Sequence, residues 1–150
     1  MNRRSWAPYC HVLANPTFGT LLSDGSLGFS WAINARENKL SPWWGDPARD
    51  NRGERLFLKA GGELYDPVWG ARASFGRSGA RYEGTCGALH CTVTVRVPER
   101  GNRKEIAVSL ENTGEQELPV LLAYYLEPVL GVERGTARMI TGSAMPGPSW

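Results

Sequence analysis

The chain has 150 residues, 41% of them hydrophobic and 21% charged, with a net charge of +2, the balance of a globular protein with one core and not of a disordered segment. Acids and bases are interspersed, and the stretch from Asp46 to Arg55 alternates in sign, so nothing points to nucleic acid or another polyanion. No apolar run reaches the ~18 residues of a membrane span. The opening Met1-Asn2-Arg3-Arg4 lacks the apolar run of a signal peptide, and three cysteines that cannot all pair favour a reduced, cytoplasmic setting.

Eighteen glycines and ten prolines favour many turns and short strands over long helices. In chain order, Phe18 to Leu22 and Leu27 to Trp31 flank Ser23-Asp24-Gly25-Ser26, and Asp-Gly predicts a tight hairpin because both central residues can adopt positive φ. From Ala32 to Gly53 no period holds. A loop of that length inside a compact domain is usually functional or disordered, and its tryptophans argue for order. Arg55 to Lys59 reads as a short strand, Gly61-Gly62 as a turn and Leu64-Tyr65 as the start of its partner. Cys86 and Cys91, taken as one extended segment, fall on opposite faces because their offset is odd. Leu89, Cys91, Val93, Val95 and Val97 alternate with His90, Thr92, Thr94 and Arg96, a strand that Pro98 ends. Ile106, Val108 and Leu110 repeat the alternation up to the turn at Asn112-Thr113-Gly114. Leu118 to Leu130 is almost continuously apolar, which predicts a third strand buried on both faces or at a sheet centre. The three together read as an antiparallel meander in an all-β fold, within one domain over residues 1–150.

Most of the polar and aromatic chemistry lies between Trp31 and Pro47. Trp31, Trp43 and Trp44 supply indole faces for the C–H face of a pyranose, and Asn34, Arg36, Asn38 and Asp46 supply planar groups that bond hydroxyls in pairs. These seven residues are the candidate substrate-binding set. The competing reading has Trp31 and one of Trp43 and Trp44 filling the core, while the other of that adjacent pair faces outward. Paired carboxylates for glycoside hydrolysis would sit roughly 5–9.5 Å apart. Glu37, Asp46, Asp50 and Glu54 each have a basic residue close in sequence, which reads as ion pairing or loop capping instead. Cys10-His11 and His90-Cys91 lack metal-ligand spacing, and there is no GxSxG elbow or phosphate loop.

A series of short motifs then stands out: Ala14-Asn15-Pro16-Thr17-Phe18-Gly19, Gly28-Phe29-Ser30-Trp31, the run from Asn34 to Trp43, Gly45-Asp46-Pro47 and Gly53-Glu54. Further on come Glu63-Leu64-Tyr65-Asp66-Pro67, Leu110-Glu111-Asn112-Thr113-Gly114 and Tyr124-Tyr125-Leu126-Glu127-Pro128. This series, over about residues 7–131, resembles the N-terminal region of glycoside hydrolase family 94, formerly glycosyltransferase family 36. The family includes cellobiose and chitobiose phosphorylases and the phosphorylase-like module of cyclic β-1,2-glucan synthases. The block from Trp31 to Pro47 is most similar to that last branch.

The resemblance implies a galactose-mutarotase-like super-sandwich, incomplete here at its C-terminal end, that precedes a helical linker and an (α/α)6 barrel. The barrel would hold the general acid and the phosphate site, so no catalytic residue is expected in this chain. The only co-substrate implied is inorganic phosphate in the parent enzyme, with no cofactor or metal. A β-linked oligosaccharide, the parent's own barrel and a homodimeric mate are the implied partners, and the Trp31–Asp46 loop is the segment expected to reach towards sugar. Two alternatives compete with this reading: a stand-alone carbohydrate-binding module with Trp43 and Trp44 as its platform, and a purely structural interaction sandwich.

Overall fold

The computed structural model describes residues 9–43 and 53–132, together with Gly135. Among these residues there are ten strands and no α-helix: β1 (Cys10–Ala14), β2 (Phe18–Ser23), β3 (Ser26–Ala32), β4 (Glu54–Ala60), β5 (Glu63–Tyr65), β6 (Arg72–Gly76), β7 (Gly79–Cys86), β8 (Leu89–Arg96), β9 (Glu105–Asn112) and β10 (Val120–Leu126). They form three antiparallel sheets, ordered β1-β2-β3, β10-β4-β5 and β6-β7-β8-β9. No helix of the described residues is long and apolar enough to cross a membrane.

Alternation decides what each strand buries. Leu89, Cys91, Val93 and Val95 of β8 are buried, while the residues between them are half-exposed. With Ala80 and Tyr82 of β7 they form the inner face of the four-stranded sheet. Against it lie Leu13, Leu22 and Leu27 from the first sheet and Leu56 from β4. A second cluster joins Leu58 and Ala60 of β4 to Cys86, Leu89 and Cys91. The result is a sandwich, as the resemblance implies, with one sheet facing the other two.

The hairpin at Asp24-Gly25 is present, with Ser23 opposite Ser26. Neither central residue has positive φ, however; the left-handed residue is Gly28 at φ 66, beside a register shift between Leu21 and Ser23. A Cβ at Gly28 would stand 1.6 Å from the Leu21 carbonyl oxygen, so the bulge needs glycine at that place. Asn15 fixes the β1–β2 corner. Its side chain donates to the carbonyls of Pro98 and Gly101 at 2.8 and 2.9 Å and accepts from the Thr17 and Phe18 amides.

Three expectations need correction. Cys86 and Cys91 do not lie on one extended segment: a tight turn with Gly87 at φ 62 separates β7 from β8, and Cys86 faces Leu89. Both thiols therefore point into the same buried cluster, and neither is disulfide-bonded. The meander also breaks after β9. Asn112 closes a turn by accepting from the Gly114 amide and donating to the Gln116 carbonyl, and Thr113 is tied to the Ala88 carbonyl. The chain then crosses to the other side of the sandwich, where β10 pairs with β4 and not with β9.

The third correction concerns β10 itself. It covers only Val120–Leu126, and all seven residues are exposed instead of buried on both faces. Apolar composition gave the strand but not its cover: among the described residues β10 ends its sheet, with β4 on one side alone.

Candidate functional site

Strand pairing places Thr20 opposite Ser30, Gly19 opposite Trp31 and Leu21 opposite Phe29. Thr20 and Ser30 share the inner face with Leu22, so Phe29 and Trp31 lie on the outer face of the first sheet. There Phe29 stacks on Trp43 with centroids 5.2 Å apart and an interplanar angle of 14°, and it meets Trp31 at 5.2 Å and 39°. Phe29 is buried beneath the two half-buried indoles. Trp31 lies across the β2 backbone, where a Cβ at Gly19 would meet its indole at 2.3 Å. Trp31 is thus neither core nor fully free. It forms one side of a three-ring platform held against the outside of the sheet.

The segment after β3 is an ordered return and not an open loop. Asn34 caps a turn by accepting from the Arg36 and Glu37 amides at 2.8 and 3.1 Å. Ile33, at φ 61, makes the reversal. The chain then runs back along β3. Lys39 bridges to both Trp31 and Gly131, the Leu40 amide donates to the Ser30 carbonyl, and the Val129 amide donates to the Leu40 carbonyl. Asn34, Arg36 and Asn38 stand exposed at the tip, with the Arg36 guanidinium 3.3 Å from Glu37. The structure therefore brings Trp31 and Trp43 together around Phe29 and puts Asn34, Arg36 and Asn38 on the same return. Trp44, Asp46 and Asp50 lie outside the described residues.

Beneath this return, on the inner face, is a polar cluster centred on Glu54. The carboxylate is 1% exposed, and its capacity to accept is filled. One oxygen takes the hydroxyls of Ser30 at 2.8 Å and Ser41 at 2.5 Å, and the other takes Tyr124 at 2.8 Å and the Lys104 ammonium. Lys104 in turn donates to Thr20 Oγ1 at 3.0 Å and to the Leu27 carbonyl at 2.9 Å. Every N–H of the ammonium is thereby used, and Ser41 Oγ also accepts from the Ser30 amide at 2.9 Å. The cluster ties β2, β3, β4, β10, the start of β9 and the root of the return to one another. Burial pushes the Lys104 ammonium below its usual range, offset in part by Glu54, and pushes the Tyr124 phenol up, with the carboxylate beside it adding to the rise.

Ion pairing of Glu54 is as expected, but its partner is Lys104, fifty residues on, and not a neighbour in sequence. Lys104 was legible in one respect only: it continues the inward alternation of Ile106, Val108 and Leu110 by two residues. Next to the cluster, Lys104, Tyr124, Leu56, Ile106, Val108 and Leu122 line a cleft of about 400 Å³ between β9 and the β4–β10 pair. Among the described residues no group of His, Cys, Asp and Glu has the arrangement of a metal site.

Comparison with known proteins gives two findings. The model of the family described as glycosyl hydrolase 94, supersandwich domain, matches residues 1–146. A curated protein from Rhizobium meliloti (strain 1021), cyclic beta-(1,2)-glucan synthase NdvB, is 34% identical over 62 residues, which are 40% of this chain and 2% of that protein. The matched stretch is therefore a small fraction of the relative's length.

Proposed function

Because the chain belongs to the glycosyl hydrolase 94 family, as a supersandwich domain, we propose that it serves a larger carbohydrate-active protein as the front part of its β-sandwich and carries no catalytic group of its own. The outer-face platform of Trp31, Phe29 and Trp43, with the exposed amides and guanidinium of Asn34, Asn38 and Arg36 on the same return, contributes to a site for a β-linked oligosaccharide. Bond cleavage or transfer, with inorganic phosphate as co-substrate, belongs to the (α/α)6 barrel of the parent protein in the cytoplasm, and the sandwich packs against that barrel.

The observation that carries this reading is the stacking of Phe29 on Trp43 under an anchored return. Buried Phe29 backs the half-buried indoles of Trp43 and Trp31 on the outside of the sheet, and indole surface left open there suits the C–H face of a sugar ring. The polar residues around it suit the hydroxyls.

Titration of the chain with β-1,2-linked glucose oligosaccharides, read by tryptophan fluorescence and calorimetry, tests the proposal. Saturable binding that Trp43→Ala lowers at least tenfold is expected, with no glucose 1-phosphate formed when phosphate is added. Turnover by this chain alone would overturn the non-catalytic assignment. Binding unaffected by Trp43→Ala and Trp31→Ala would overturn the platform.

A further inference from the structure

A β-branched residue is held in left-handed backbone beside the ring platform. We infer that this residue, Ile33, is a contact for the sugar unit next to the one stacked on the indoles. The inference rests on the sugar-site reading above and adds to it a second position, with a preference for ligands longer than one ring.

Ile33 lies at φ 61, where a β-branched side chain crowds its own backbone and glycine or asparagine sits with far less strain. The Asn34 amide donates to the Ala32 carbonyl at 2.6 Å, which closes a three-residue turn around Ile33 of the rare, strained hand. Bonds on either side hold it there. The Ile33 amide donates to the Thr17 carbonyl at 2.9 Å, and the Ala32 amide donates to the Asn38 carbonyl at 3.0 Å. All three are backbone bonds, so glycine at this place would serve the fold as well.

Burial does not offset the strain either. Ile33 is 76% exposed, more than any other large apolar residue among those described. Strain that the surroundings enforce and the fold does not use gathers at ligand-contacting places. The other left-handed non-glycine among the described residues is Leu130, at φ 49. It adjoins Gly131, which is bridged through Lys39 to Trp31. Both strained residues thus border the platform.

Register places Ile33 at the end of that platform. Phe18 faces Ala32 and Gly19 faces Trp31, and the bond to Thr17 carries the same pairing one residue further. Phe29, Trp31 and Ile33 therefore follow one another at two-residue steps, about 7 Å each in extended chain. Along that row Phe29 is buried, Trp31 is half-buried and Ile33 stands clear. A sugar ring stacked on the indoles brings its neighbour in a β-linked chain beside Ile33. The side chain there has no hydrogen-bonding group, so it takes the C–H face of that second unit and does nothing for a single ring on the indoles.

The test compares three variants of the full chain. Asparagine tolerates the left-handed region, so Ile33→Asn should raise the thermal midpoint by roughly 3–6 °C. Ile33→Gly leaves no side chain and no new donor. By calorimetry it should weaken binding of a β-1,2-linked glucose trisaccharide about tenfold and leave glucose binding unchanged, whereas Ile33→Leu should keep the parent affinity for both. An unchanged or lower midpoint for Ile33→Asn would show that the side chain serves the fold after all. Equal affinity of Ile33→Gly and the parent for the trisaccharide would show that it touches no sugar. Either result overturns the inference and leaves the platform standing. A loss shared equally by glucose would put Ile33 at the first ring and overturn the second position. A parent chain that binds neither sugar removes the platform, and this position with it.

Discussion

Replacing Lys104 with methionine takes away the ammonium and leaves the Glu54 carboxylate in place, 1% exposed, with Ser30, Ser41 and Tyr124 still donating to it. Three neutral donors do not compensate a buried negative charge, and breaking one partner of such a pair costs about 3–5 kcal/mol. That is a large share of the ~5–15 kcal/mol that holds a domain of this size folded. With a urea m-value of about 1–3 kcal/mol/M, the unfolding midpoint should fall by roughly 2 M, read by the emission of the indoles packed on the first sheet. Combining Lys104→Met with Glu54→Gln should recover much of the loss, because the double variant buries no charge and the glutamine carbonyl still accepts from the serines. A single variant that loses less than about 1 kcal/mol, or a double variant as unstable as the two singles added together, would refute the view that this cluster is a charge-paired node.

Two further outcomes follow from the geometry. Gly28→Ala must bring a Cβ to 1.6 Å from the Leu21 carbonyl oxygen at φ 66; opening the bulge should cost about 3 kcal/mol and lower the thermal midpoint by roughly 6–12 °C. The buried Tyr82 hydroxyl donates to the Ser23 carbonyl at 2.8 Å, and burial, with the Asp24 charge, raises its pKa above the usual phenol value. A raised folded pKa means stability that is whole below about pH 10 and declines as pH climbs past the unfolded tyrosine value. Tyr82→Phe should therefore flatten the fall in stability above about pH 10, a difference that denaturant titration at several pH values measures.

Strands with clean alternation were legible because one face of each packs inward, fully buried in β8 and partly in β9: they fall where Leu89 to Val97 and Ile106 to Leu110 place them. What the sequence did not reveal was pairing across distance. Nothing local tells Val120–Leu126 to leave β9 and join β4, since strand propensity carries no information about partner or cover. The strands β1, β6 and β7 have weaker patterns, with Arg72 to Gly76 small and polar at alternate places, and they are held by their neighbours. The motifs that carry the family resemblance coincide with polar ties. Asn15 binds the 98–101 turn, Glu54 and Tyr124 belong to the buried cluster, Asp66 accepts the Val68 and Trp69 amides, and Asn112 closes the turn after β9. Other motifs, Gly28-Phe29-Ser30-Trp31 and the run from Asn34 to Trp43, hold the platform rings, whose meeting was not readable because only the fold brings them together. Phe29, the ring that joins Trp31 to Trp43, fell outside the seven residues chosen because only the fold puts it between them.

The return after β3 has a root and a tip with different obligations. Ser41, Leu40 and Lys39 are bound to the Glu54 cluster, to β3 and to residues 129–131 alongside, whereas residues 34–38 touch mainly one another. A protein built in this way can exchange its tip by insertion or substitution while the root keeps the framework in register. The framework's constraint thus falls on the root, and the tip is a handful of positions that the rest of the molecule does not read.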